Sequence, residues 1–224
     1  MNLDDYIRLV EQECGGYTSQ ITTLATQLYH YKAQYDEPDG TTNNNAILAS
    51  TSQGVLITGA PGTGKTYVAQ RLAHHLNITY HFLDGTQVFH TDEGQSERYL
   101  SSIFQALAKQ LPAVLVIDNV EVICPAFPPL PSALVQRVYT RFLALLDAPL
   151  RHDNLHVYSR LPFILATTSD PRAMASSLLR TGRLDTTVTL GLSCALDRLA
   201  VLRIVSRDLP LGEPTERETT LHNV

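Results

Sequence analysis

A chain of 224 residues with 44% hydrophobic and 17% charged residues has the composition of an ordinary globular protein, long enough for one α/β domain with a substantial core. No apolar run approaches the roughly 20 residues that span a bilayer. The acidic start Met1-Asn2-Leu3-Asp4-Asp5 lacks the basic and apolar regions of a secretory leader, so a cytoplasmic or nuclear setting without membrane insertion is expected. Net charge is −5 and the 17 basic residues are dispersed, which leaves no electrostatic footprint for nucleic acid.

From about Leu3 to Tyr35 the pattern is helical, interrupted at Gly15-Gly16. Beyond the interruption Ile21, Leu24, Leu28 and Tyr31 form a single apolar stripe. Asp36 to Ser52, with Asp39-Gly40 and Asn43-Asn44-Asn45, is turn-rich and reads as an exposed loop. Strand and helix then alternate, with strands at 54–58, 79–83, 113–118, 162–168 and 187–190 and helices near 65–76, 95–110, 132–147, 172–180 and 195–207. That alternation predicts an α/β fold in three layers, a five-stranded parallel sheet with helices on both faces. Pro125 to Pro131 and Ala148 to Arg160 are expected loops, and Leu209 to Val224 a fraying tail. Cys14, Cys124 and Cys194 are far apart and without CxxC spacing, which predicts buried free thiols. Scattered histidines suggest no metal beyond Mg²⁺, and the tyrosines form no regular stripe with basic residues for base stacking.

Between the first strand and the next helix lies Gly59-Ala60-Pro61-Gly62-Thr63-Gly64-Lys65-Thr66, which satisfies the phosphate-loop pattern at every defined position. The glycines let main-chain N–H groups turn toward a common anion, Lys65 can reach the β- and γ-phosphates, and Thr66 can ligate Mg²⁺. The loop runs into a helix N-terminus at Tyr67-Val68-Ala69, whose partial positive charge favours phosphate. Ala113-Val114-Leu115-Val116-Ile117-Asp118 is an apolar run ending in a carboxylate, which makes Asp118 the expected Mg²⁺ partner. Any buried strand followed by Asp matches such a run; behind a complete phosphate loop it points to Mg-ATP.

With these two motifs in place the chain resembles the AAA ATPases, most of all the first ATPase module of proteins of the valosin-containing-protein and NSF group. The likeness begins at Cys14-Gly15-Gly16-Tyr17, similar to the family's Ile-Gly-Gly lead-in, and continues through Gln53-Gly54-Val55-Leu56. It includes Gly94-Gln95-Ser96-Glu97-Arg98, the helix ending Leu146-Asp147, Ala166-Thr167-Thr168-Ser169-Asp170-Pro171, and Leu178-Leu179-Arg180-Thr181-Gly182-Arg183-Leu184-Asp185. About 190 of the 224 residues are covered. The resemblance implies ATP hydrolysis coupled to remodelling of proteins or complexes, with ATP bound between neighbours of a ring built from one or several kinds of subunit. It puts Gly15, Gly16 and Tyr67 beside the nucleotide and makes Arg180 and Arg183 arginine fingers, a device worth about 10³–10⁵ in rate. Surface arginines near a turn are the plainer alternative. The implied organisation is a nucleotide-binding core over 1–191, including the N-terminal helix 1–35 and loop 36–52, followed over 192–224 by a truncated helical lid and tail.

Three departures from the family pattern bear on activity. The glutamate that normally follows the Mg²⁺ aspartate and activates water is here Asn119; an amide cannot accept the proton, and a general base contributes about 10²–10⁴-fold. Glu121 could substitute only through an altered backbone. The polar residue at the fourth strand's tip is Ser169 in place of the usual Asn, and the segment before Gly94, Thr91-Asp92-Glu93, lacks the aromatic residue of polypeptide-threading members. Phe89 could serve if the loop is shifted, but a core-facing Phe at the end of a helix is the plainer reading. Two functions follow as expectations: a slow ATPase module, or a non-hydrolysing interaction subunit lending its arginines to a competent neighbour. A DNA-dependent ATPase sharing the sheet is disfavoured by the acidic balance.

Overall fold

A computed structural model describes residues 2–36, 53–126, 132–147, 161–191 and 194–207. Helix α1 (Leu3–Glu13) starts where the Asn2 side chain accepts the Asp5 amide at 2.7 Å, with Asp4 and Asp5 against the helix's positive end. After Gly15-Gly16 the chain re-enters helix as α2 (Thr18–Asp36), and the stripe Ile21, Leu24, Leu28 and Tyr31 is buried as expected. The remaining elements are β1 (Gly54–Thr58), α3 (Lys65–His75), β2 (Thr79–Asp84), α4 (Gln95–Ala108), β3 (Ala113–Asp118), α5 (Val120–Ile123), α6 (Ala133–Asp147), β4 (Phe163–Thr168), β5 (Thr186–Thr189) and α7 (Ala195–Val205). Short 3₁₀ turns cover Gly85–Val88 and Ser176–Leu179. No helix among the described residues is long and apolar enough to cross a membrane.

All five strands run parallel, in the order β2-β3-β4-β1-β5. Successive side chains of a strand point to opposite faces, and in the central strands β1, β3 and β4 both faces are apolar and buried. Val55, Ile57, Val114, Val116, Phe163 and Leu165 pack against α1, α2 and α3; Leu56, Leu115, Ile117, Ile164 and Ala166 pack against α4, α5 and α6. The result is the three-layer α/β/α sandwich of the phosphate-loop NTPases. In the second layer Phe104 of α4 meets Phe142 of α6 edge to face at 6.2 Å, both fully buried, each burial stabilising by about 1.5–3 kcal/mol.

Three expectations need correction. The helix over 172–180 shrinks to the turn Ser176–Leu179 because residues 173–175 are held extended. Ala126 N–H donates to Ala173 C=O at 2.7 Å and Ala175 N–H to Cys124 C=O at 2.9 Å, about an antiparallel bridge of Pro125 with Met174. The one-turn helix α5 was not foreseen; at four residues it is too short to show a period. Cys14 and Cys124 are buried free thiols, but Cys194 is exposed. It caps α7, its Sγ accepting the Asp197 N–H at 3.3 Å while its own N–H donates to the Asp197 carboxylate at 3.4 Å. The expected loops 36–52 and 148–160 and the tail from 209 lie outside the described residues, as does 127–131 of the proline-rich run, apart from Asp36 at the end of α2.

Candidate nucleotide-binding site

Strand register assembles this site. Thr58 stands beside Thr168 and Thr189, and Asp84 beside Asp118, so the C-terminal edge of the sheet is a row of short polar side chains where each apolar run ends. The neighbours β1 and β4 send their following connections over opposite faces, α3 into one layer and Leu178 into the other, which opens a crevice at those strand ends.

The loop from Gly59 to Thr66 occupies that crevice. A Cβ on Gly59 would stand 2.3 Å from the Leu190 carbonyl oxygen, so only glycine lets the loop pass the end of β5. Gly62 and Gly64 take φ of +81° and +82°, and a Cβ on either would meet nothing within 4 Å, which leaves room on that side of the loop for a ligand. Ala60 and Pro61 form its exposed crest. α3 opens out of the loop with no side-chain cap and no acidic residue in its first turn, so its positive end is uncompensated. Lys65 is 7% exposed; its ammonium donates to the Gly59 and Ala60 carbonyls at 3.0 and 2.9 Å and retains a third proton for another acceptor.

Asp118 is the hub beside this loop. Thr66 donates to its Oδ1 at 2.7 Å, the Thr167 hydroxyl donates to the same oxygen, and Asn119 Nδ2 donates to Oδ2 at 3.4 Å. A carboxylate with the Thr66 hydroxyl against it suits Mg²⁺, which takes its other oxygens from phosphate and water. Among the described residues no cluster of three His, Cys, Asp or Glu offers another metal site. His152 and His156, four apart in sequence, fall outside the described residues.

Asn119 has φ +54° and ψ +53°, the left-handed conformation that Asn tolerates better than most residues. Its side chain also approaches Asp84, whose carboxyl is held below the usual range by the Thr86 backbone N–H at 2.9 Å and, to a smaller degree, by Asn119. The amide therefore sits between two carboxylates. Glu121 lies on α5 with its Oε2 enclosed and without a hydrogen-bond partner. Ser169 is one residue past β4, in a turn where the Asp170 N–H donates to Thr168 Oγ1 at 3.2 Å.

Arg180 and Arg183 differ sharply. Arg180 is exposed, whereas the Arg183 side chain is 11% exposed and forks onto Asp147 at 2.7 and 2.5 Å while donating to the Ser177 carbonyl at 2.6 Å. That hydrogen bond, with the guanidinium charge, holds the Asp147 carboxyl below its usual range. Phe89 packs against the α4–α6 core, and Arg137 of α6 pairs with Glu93 at 2.6 Å and Glu97 at 3.1 Å across the start of α4.

A largely apolar cavity of about 200 Å³ adjoins the loop, walled by Cys14, Tyr17, Gly64, Tyr67, Val201 and Ile204. Gly16 turns the chain with φ +81°, and Gly15 admits α7, since a Cβ there would stand 2.7 Å from Ile204 Cδ1 and 2.8 Å from the Ala200 carbonyl oxygen. Burial and, less, the Glu13 charge push the Cys14 thiol up to about 12. Sequence reasoning missed four participants. Asp84 carried the same signal as Asp118, an acid closing a strand, and Thr167 ended an apolar run; Tyr17 and Asp147 had no spacing signal for their partners, Thr63 and Arg183.

The comparisons with known proteins agree with this architecture. The model of the ATPase family associated with various cellular activities (AAA) matches residues 55–192. The chain is 30% identical over 177 residues to Nuclear valosin-containing protein-like of Mus musculus, a match covering 78% of this chain and 20% of that relative, so the chain spans about a fifth of the relative's length. A matched family model over the whole sheet, joined to a relative aligned along most of the chain, makes this chain a member of the AAA family of ATPases.

Proposed function

We propose that the chain binds Mg-ATP in the crevice at the ends of β1, β3 and β4 and hydrolyses it slowly. The observation that carries this reading is Asp118, in contact with Thr66 of a complete phosphate loop and followed by an amide in place of a carboxylate. Main-chain N–H groups from 59 to 66 and the Lys65 ammonium would hold the β- and γ-phosphates; Thr66 and Asp118 would hold Mg²⁺, which neutralises phosphate charge when bound. The apolar cavity against α7 fits a nucleobase, with Tyr67 and Ile204 as walls. α7 is then the start of the lid proposed for 192–224, set against the core 1–191. Asn119 and Ser169 can accept a hydrogen bond from a water and orient it, but neither takes its proton, so the chemical step lacks about 10²–10⁴-fold. Calorimetric ATP titration with and without Mg²⁺, followed by single-turnover hydrolysis, tests this. The expected result is Mg²⁺-dependent binding that Lys65→Ala abolishes, with hydrolysis far slower than binding; fast single-turnover cleavage would overturn it.

The exposed Arg180 favours a second reading, in which this chain supplies an arginine to the nucleotide of a ring neighbour, of its own or another kind. Arg183, tied to Asp147, would then set the backbone from which Arg180 projects. Particle mass measured with Mg-ATP, and neighbour ATPase activity with Arg180→Ala, decide whether that contact exists.

A further inference from the structure

Tyr17 is 4% exposed and its hydroxyl donates to the Thr63 main-chain carbonyl at 2.7 Å, across 46 residues of sequence. A carbonyl can only accept, so the direction of this bond is fixed. In a planar trans peptide the C=O of one residue and the N–H of the next point in opposite directions. Holding the Thr63 oxygen toward Tyr17 therefore turns the Gly64 N–H the other way. Without such a tie this peptide would be easy to rotate, because it ends on Gly64 at φ +82°, Gly62 precedes it at φ +81°, and a side chain at either would touch nothing within 4 Å. Residue 63 is fixed on its other side by its own N–H and hydroxyl, which donate to the Ala60 carbonyl at 3.3 and 2.9 Å.

We propose that Tyr17 is a positioning residue that latches the Thr63–Gly64 peptide with the Gly64 N–H turned into the phosphate cradle. This rests on the nucleotide-binding reading above and adds to it a residue outside the phosphate-loop motif. The ring is aimed by well-held backbone: the Tyr17 carbonyl accepts the Ile21 N–H at 2.8 Å at the start of α2, whose apolar stripe is buried against the sheet. Burial, and to a smaller degree Asp197 on α7, raise the phenol's pKa, which keeps the hydroxyl a donor at neutral pH. A pre-turned N–H spares a ligand the cost of ordering the loop.

Tyr17→Phe in the full chain tests the latch, since it keeps the ring and removes only the hydroxyl. Two measurements are compared with the unaltered protein: amide hydrogen exchange of 62–64 without ligand, and calorimetric affinities for ADP and adenosine. The latch predicts faster exchange at 62–64, ADP affinity reduced about three- to tenfold, the range of one neutral hydrogen bond, and adenosine affinity unchanged. Unchanged exchange, or an equal loss for adenosine and ADP, would overturn it and leave Tyr17 as a wall of the base cavity. Should the unaltered chain bind neither ligand, the nucleotide reading fails while the exchange comparison still decides whether Tyr17 holds the loop.

Discussion

Asn119→Glu restores a carboxylate where the attacking water would lose its proton, and its consequences divide between chemistry and stability. On the chemical side the gain is about 10²–10⁴-fold in single-turnover rate if the base is what the site lacks. Two costs act on the fold. Residue 119 is in the left-handed region, which disfavours Glu relative to Asn by up to roughly 1–2 kcal/mol. The new charge also enters between Asp118 and Asp84, and two like charges about 4 Å apart repel by about 1 kcal/mol in water and about 4 kcal/mol near a protein surface. Asn119→Glu should therefore melt several degrees below the parent in the absence of Mg-ATP. The exchange Asp84→Asn with Asn119→Glu conserves net charge and returns an amide to the cluster, so it should recover most of that loss and keep the higher rate. Thermal melts with and without Mg-ATP, together with single-turnover hydrolysis, read both sides. If the doubly exchanged protein binds ATP as the parent does yet cleaves no faster, the amide at 119 is not what limits turnover.

Other expectations follow from the same geometry. Arg183→Ala removes a fork onto Asp147 and should lower the melting temperature, whereas the exposed Arg180→Ala should leave it within about a degree while abolishing any stimulation of a neighbour; equal melting losses would contradict the difference in their surroundings. Because the folded Asp147 pKa lies below its unfolded value, its contribution is fully present above about pH 4 and is lost as pH falls through the lower folded value; Asp147→Asn should flatten that part of the acid stability curve. Gly15→Ala drives a methyl to 2.7 Å from Ile204 and 2.8 Å from a carbonyl, so α7 must shift; nucleobase discrimination should fall more than affinity for inorganic triphosphate. A thiol reagent should modify one equivalent in the native protein, at Cys194, while Cys14 and Cys124 react only on unfolding.

The sheet was legible because its central strands β1, β3 and β4 are apolar on both faces and α2 carries a long stripe; Ile21, Leu24, Leu28 and Tyr31 are buried where the spacing put them. The segment Gly59 to Thr66 and the strand-ending Asp118 stood out because their signals, glycine spacing before Lys-Thr and an acid closing an apolar run, are local in sequence. What escaped was long-range pairing. Tyr17 reaches Thr63, Arg183 reaches Asp147, and residues 124–126 hold 173–175 extended in a segment whose own pattern suggested helix. Such choices are made by tertiary partners that a one-dimensional pattern does not display.

The main-chain ladder between 124–126 and 173–175 also governs how substitutions nearby are to be interpreted. Two peptide hydrogen bonds, with Cys124 and Met174 buried in one apolar cluster, join the strip that follows Asn119 and Glu121 to the strip between Ser169 and Arg180. None of those four side chains takes part in a rung. An altered rate at Glu121, Ser169 or Arg180 is then to be assigned to the functional group itself, whereas at Asn119 the cost of the left-handed backbone enters as well.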